Sequence, residues 1–145
     1  MQTTIRDLLK RKGDVVHSVR ANNSVVEVVH QFIEHNVGAV LVMDGADVVG
    51  IVSERDVARS VVLETKTERE TSVAEIMSTD VISVGPEATV DQCLAMMTAK
   101  RVRHLPVMQD NRVIGIVSIG DLVNASLSQK QFLIEQLEGY ITGRS

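Results

Sequence analysis

The chain repeats itself. Gly50-Ile51-Val52-Ser53, with Asp56 three residues on, recurs as Gly115-Ile116-Val117-Ser118 with Asp121, 65 residues later. The same offset, without a gap, sets Val16 against Val81, Ser18 against Ser83, Val19 against Val84 and Val25 against Val90. It continues through Val37 and Val102, Val42 and Val107, and Met43 and Met108. Units this small bury too little surface to be stable alone. The two copies are therefore expected to pack on each other with pseudo-two-fold symmetry, as the subunits of a symmetric dimer do.

Each copy reads in the same order. "VHSV" and "VISV" are short apolar strands. "SVVEVVHQFIEHN" and "TVDQCLAMMTAKR" carry helical periodicity, and Ser24 with Glu27 and Thr89 with Gln92 stand at capping-box spacing. "AVLVM" with "VVGIVS", and "LPVM" with "VIGIVS", are strand pairs joined by the turn sequences "DGAD" and "QDNR". The second strand of each pair is apolar on both faces, as covered strands are. "ERDVARSVV" and "IGDLVNASL" are closing helices, and "TTIRDLL" and "SVAEIM" are short helical leads. The expectation is an α+β fold of two β-α-β-β-α repeats. Residues 1–66 form the first repeat with its lead helix, 67–127 the second with its own, and 128–145 a C-terminal helix. The polar run "ETKTERET" (Glu64–Thr71) links the repeats. Phe132, Leu133, Gln136, Leu137, Tyr140 and Ile141 fall on one side of the last helix, a stripe suited to the core or to a second subunit.

Bulk properties narrow the function. A net charge of −4 and 2% aromatic residues argue against nucleic acid, which asks for phosphate-neutralising cations or stacking platforms. No apolar run approaches the length needed to span a bilayer. The N-terminal "MQTTIRDLLKRKGD" lacks the apolar heart of a secretory signal, and the single cysteine, Cys93, allows no internal disulfide. A cytoplasmic location is expected. His17, His30, His35 and His104 do not stand at metal-ligand spacing, so no metal is expected. No Walker loop, Gly-x-Ser-x-Gly elbow or cysteine–histidine pair appears, so catalysis is not expected.

The doubled S-x-x-D is open to two readings. Ser53 with Asp56, and Ser118 with Asp121, can cap the helices they open. The same geometry can also hold a ligand. Free N–H groups at a helix start attract phosphate, and a carboxylate one turn in can accept both hydroxyls of a ribose diol. Gly50 and Gly115, inside apolar strands, permit close approach of a backbone or a ligand.

With "GIVSERD" and "GIVSIGD" preceded by "HNVGAVLVMD" and "KRVRHLPVMQD", the chain resembles the cystathionine-β-synthase-type (CBS) domain family over about Thr3 to Leu127. It is similar to a stand-alone tandem pair, the Bateman module. The resemblance implies a disc-like body with clefts for an adenosine-containing ligand such as AMP, ADP, ATP, NAD(H) or S-adenosylmethionine, and frequent dimerisation. It implies that Asp56 and Asp121 hold ribose, that Ser53 and Ser118 contact ribose or phosphate, and that the backbone near Val16, Thr79 and Val81 reads the adenine. Gly38, Ala39 and Val40, and Arg103, His104 and Leu105, would line the slot. Arg55, Arg103, His104 and Lys12 would meet phosphate. Gly120 replaces Arg55 in the second copy, so the first site is expected to draw charge from its closing helix and the second from its hairpin. The expected role is non-catalytic regulation, with the signal passed to an effector protein or enzyme outside this chain by a homodimer. The alternative is an interaction module with vestigial clefts.

Overall fold

The computed structural model describes residues 2–63, 67 and 70–141. In chain order these form α1 (Ile5–Lys12), β1 (Ser18–Val19), α2 (Val25–His35), β2 (Ala39–Asp44), β3 (Asp47–Ser53) and α3 (Glu54–Ala58), which runs on into a π-turn over Arg59–Leu63. They continue as α4 (Val73–Ile76), α5 (Val90–Lys100), β4 (His104–Gln109), β5 (Arg112–Ser118) and α6 (Ile119–Ile141). This is an α+β fold made of two similar halves. Glu64, Thr65, Lys66, Glu68 and Arg69 of the expected linker, and the side chains of Tyr140 and Ile141, lie outside the described residues.

Local chemistry explains most of these elements. Thr4 with Asp7, Ser53 with Asp56, Ser72 with Glu75 and Thr89 with Gln92 form capping boxes, which satisfy helix-end N–H groups that have no partner within the helix. α2 and α5 end on Asn36 and Arg101, both left-handed, at φ 52° and 56°. Both hairpins close through two-residue loops, and in the second Asp110 and Asn111 both take the positive φ that a type I′ turn requires. Each hairpin carries a bulge at the same place, between Val42 and Met43 and between Val107 and Met108.

Three expectations change. β1 pairs in parallel with β2, and the Leu41 N–H donates to the His17 carbonyl. The offset partner of Leu41 is Pro106, which has no N–H to give to Ile82. The expected strand "VISV" therefore shrinks to one bridge, between Val84 and Val107. The closing helix "IGDLVNASL" and the expected terminal helix are one 23-residue helix, α6, which runs through the expected boundary at 127/128 with no proline to stop it. Ser24 makes no side-chain cap; the first N–H of α2 is taken instead by the Thr71 carbonyl.

The leads are exchanged between the halves. Ile5, Leu8 and Leu9 of α1 lie in a core with Val84, Val90, Cys93, Leu105, Val107 and Leu122 of the second half. Val73, with Ile76 and Met77 beside it, completes the first-half core of Val19, Val28, Val40, Val42 and Val52. Backbone bonds fix the exchange: Ile5 and Arg6 donate to Ala88 and Pro86, while Val73 and Ala74 donate to Asn23 and Ala21.

The strand glycines serve this exchange. A Cβ on Gly115 would fall 2.6 Å from Leu9 Cδ2, and one on Gly50 would fall 2.8 Å from Met77 Sδ and 3.0 Å from the Ser78 carbonyl. The close approach they permit is by a lead segment of the same chain. Gly115→Ala is therefore expected to cost about 1–3 kcal/mol of stability by overpacking. Urea unfolding would read this as a lower midpoint at unchanged slope.

Candidate functional site

A cleft of about 430 Å³ opens between the halves. One wall is the start of α3, where Ser53, Arg55, Asp56 and Arg59 line it. The second is the segment after α4, with Ser78, Asp80, Val81 and Ile82. The third comes from the other half: Arg101, Val102, Arg103, His104 and Pro106. The first and third walls belong to different repeats, so no single repeat builds this site.

Asp56 is the acid of the cleft. Its Oδ2 accepts from the Ser53 N–H at 2.8 Å and from Ser53 Oγ at 3.0 Å, and its own N–H donates to Ser53 Oγ at 3.3 Å. The cap is thus formed, and Oδ1 of Asp56 accepts no hydrogen bond among the described residues. The same cleft is lined by Arg55, Arg59, Arg101 and Arg103, each exposed and in no ion pair among the described residues, and by two further acids, Glu54 and Asp80. Strand alternation turns His104 and Pro106 toward the cleft and Leu105 toward the core. His104 is held below the usual imidazole range by burial and by the nearby Lys12 and Arg103 cations, against the opposing pull of Asp121. A Cβ on Gly38 would fall 2.8 Å from Glu54 Oε1 and 3.4 Å from His104 Nε2, so a side chain there would displace the exposed Glu54 carboxylate at the cleft.

The second S-x-x-D is built alike but is already engaged. Asp121 Oδ2 accepts from the Ser118 N–H at 2.8 Å and from Lys12 Nζ at 2.6 Å. The ammonium also donates to the Ile116 carbonyl at 2.8 Å. Burial pushes the Asp121 carboxyl toward a higher pKa, but Lys12 and Ser118 outweigh it and hold the carboxyl below its usual range.

The residues expected in the sites divide accordingly. Gly38, Ser53, Arg55, Asp56, Val81, Arg103 and His104 meet at the first cleft. Lys12, Ser118 and Asp121 meet one another at the start of α6, with Gly120 exposed beside them. Val40 and Leu105 do not line a slot: both are fully buried in the two cores, because alternate strand residues face opposite ways. Ala39 is buried as well, and Thr79 is exposed between the lining residues Ser78 and Asp80. Val16 is half-buried. Lys12 contacts a carboxylate rather than standing free for phosphate. The charge does not divide between the sites as expected, because the Arg103 segment crosses to the cleft of the other repeat and joins Arg55 there.

Sequence reading missed Arg59, Arg101, Asp80 and Ile82. Arg59 stood four residues after Arg55, one helical turn on, and was legible; Arg101 shows its place only once it becomes the left-handed cap of α5. Also missed was the stack of His17 on His35, with ring centroids 3.7 Å apart and planes 11° from parallel. Burial, then the charge of His35, lowers the His17 pKa. Among the described residues no cluster of three or more His, Cys, Asp or Glu is placed to hold a metal, and no helix is long and apolar enough to cross a membrane.

Comparison with known proteins agrees with this architecture. The CBS domain model matches residues 5–63 and 73–128. The CBS domain-containing protein CBSX3, mitochondrial, of Arabidopsis thaliana is 34% identical over 150 residues, covering 97% of this chain and 73% of that protein. The crystal structure of a CBS-domain containing protein from Agrobacterium tumefaciens superposes with a TM-score of 0.82 at 38% identity, covering 87% of this chain and 95% of that one. The CBS domain pair of protein MJ0100, solved in complex with 5′-methylthioadenosine and S-adenosyl-L-methionine, gives 0.79 at 25% identity, covering 89% and 99%. Two matched copies, their pseudo-symmetric packing and the paired S-x-x-D motifs make this chain a member of the CBS-domain family, carrying a tandem pair.

Proposed function

We propose that this CBS pair is a non-catalytic regulatory module that binds a phosphate-bearing adenosine ligand (AMP, ADP, ATP or NAD(H)) in the Asp56 cleft. The observation that carries this reading is an acid with one open oxygen in a cleft lined by four arginines that form no ion pair among the described residues, against two further acids, Glu54 and Asp80, and by the apolar Val81, Ile82 and Pro106. Asp56 Oδ1 is free to take a ribose hydroxyl, the arginines to take phosphate, and the apolar wall to take the base. The bound adenosine compounds of the related MJ0100 pair, which carry no phosphate, support the adenosine part of this ligand.

The cleft joins the two halves, so a ligand that prefers one relative orientation shifts the pair toward it. The signal would pass to an effector protein or enzyme outside this chain. Val62, Leu63, Ile119, Val123 and Leu127 stay 41–75% exposed on the closing elements and suit a second copy of the chain, giving a homodimer. An interaction module with vestigial clefts is the second reading, favoured by Phe132, Leu133 and Leu137, which α6 leaves 53–60% exposed.

Thermal shift with AMP, ATP and NADH separates the two. A ligand at one hundred times its Kd is expected to add about 2.7 kcal/mol of stability. A melting temperature unmoved across the panel would favour the interaction module.

A further inference from the structure

We propose that Lys12 occupies the acid of the second S-x-x-D, so that the chain takes a single nucleotide, in the Asp56 cleft. This rests on the nucleotide reading above and concerns which of the two acids is open to ligand.

The surroundings of the two acids differ in charge. The 65-residue offset sets three arginines of the first cleft, Arg55, Arg59 and Arg101, against Gly120, Asn124 and Asn36, while Gly38, the partner of Arg103, itself lines the first cleft. None of these partners carries charge. The second acid is met instead by Lys12; counted from the two capping boxes, the corresponding place in the other half falls to Asp80, an acid that lines the first cleft. Both leads begin in a capping box, at Thr4 and at Ser72, and both set an apolar side chain against a strand glycine, Leu9 on Gly115 and Met77 on Gly50. α4 ends at Ile76, while α1 continues to Lys12. The extra turn carries the lysine.

Lys12 occupies a defined place. In the first half the Ser78 N–H donates to the Ile51 carbonyl at 2.9 Å. In the second half the carbonyl of Ile116, the offset partner of Ile51, takes its bond from Lys12 Nζ at 2.8 Å, and the same ammonium reaches Asp121 at 2.6 Å. α1 cannot withdraw, because Ile5, Leu8 and Leu9 are buried in the second-half core. The two side chains are 33% and 25% exposed, so water screens their pairing only in part. A ribose diol arriving at Asp121 must break a charge-assisted hydrogen bond and strand an ammonium. At Asp56 no cation competes.

Equilibrium dialysis counts the sites. Wild-type protein is expected to bind one labelled AMP per chain. Asp56→Asn should weaken that affinity at least about tenfold, and Asp121→Asn, whose charge reaches the cleft only through His104, by much less. With the first cleft saturated by AMP, labelled adenosine should bind Lys12→Met at one per chain and wild type not at all; Lys12→Ala serves as a second variant with the same expectation. Two AMP bound per wild-type chain would overturn the proposal. So would adenosine binding both proteins alike, or neither. No AMP bound to wild type would defeat the nucleotide reading and this proposal together, whereas one AMP per chain with no adenosine on either variant defeats the role of Lys12 alone.

Discussion

Asp56→Ala is expected to weaken AMP binding by about 1.5–3 kcal/mol, roughly ten- to 150-fold, the scale of a hydrogen bond to a charged group. The carboxylate divides its work between its two oxygens. Oδ2 is held by the Ser53 N–H and hydroxyl, which fixes the side chain, and Oδ1 accepts no hydrogen bond among the described residues. Substitution therefore removes both the acceptor for the diol and the geometry that aims it. It also opens the cap of α3, at a cost of about 1 kcal/mol in stability. Ser53→Ala separates the two effects: it loses the hydroxyl side of the cap but keeps the carboxylate and its bond to the Ser53 N–H. The expected result by calorimetry is a large loss of affinity in the first variant and a small one in the second. Equal losses in both would mean that Asp56 acts through the helix start rather than on the ligand.

The largest effect on stability is expected from a residue far in sequence from the core it completes. Ile5→Ala should cost about 2–5 kcal/mol, the range for truncating a fully buried aliphatic side chain. That is a large part of the 5–15 kcal/mol that roughly bounds a domain of this kind. Ile5 is wholly buried, and its neighbours Val84, Val90, Leu105, Val107, Val117 and Leu122 all belong to the second half. Amide hydrogen exchange is therefore expected to lose protection first in β4, β5 and α5, while β2 and β3 keep theirs longer. The reverse order, with the first half opening before the second, would contradict the exchange of leads.

Much of this was legible in the residues. The repeat showed itself at a constant offset. Glycine and Asp-Asn turns marked both hairpins, and Ser/Thr residues three before an acid or amide marked helix starts, because these signals are local and each is carried by a few neighbouring side chains. The acids Asp56 and Asp121 were visible for the same reason. Where a local rule was broken, the break had a local cause: Pro106 withheld one N–H and the expected second-half strand shrank to the Val84 bridge. Val40 and Leu105 were misplaced because strand direction alone does not say which of two alternating faces meets the cleft.

The amino-acid sequence by itself determined the doubled unit, the order of elements within it and the two capping acids, since these follow from periodicity and from hydrogen bonds that span three or four residues. Only the tertiary structure decided which lead serves which half, and hence that Lys12 meets Asp121 while Asp56 shares its cleft with four arginines. The physical reason is the burial of apolar faces: α1 and α4 each gain a covered core by crossing to the other repeat, and the charges they carry or leave behind follow them.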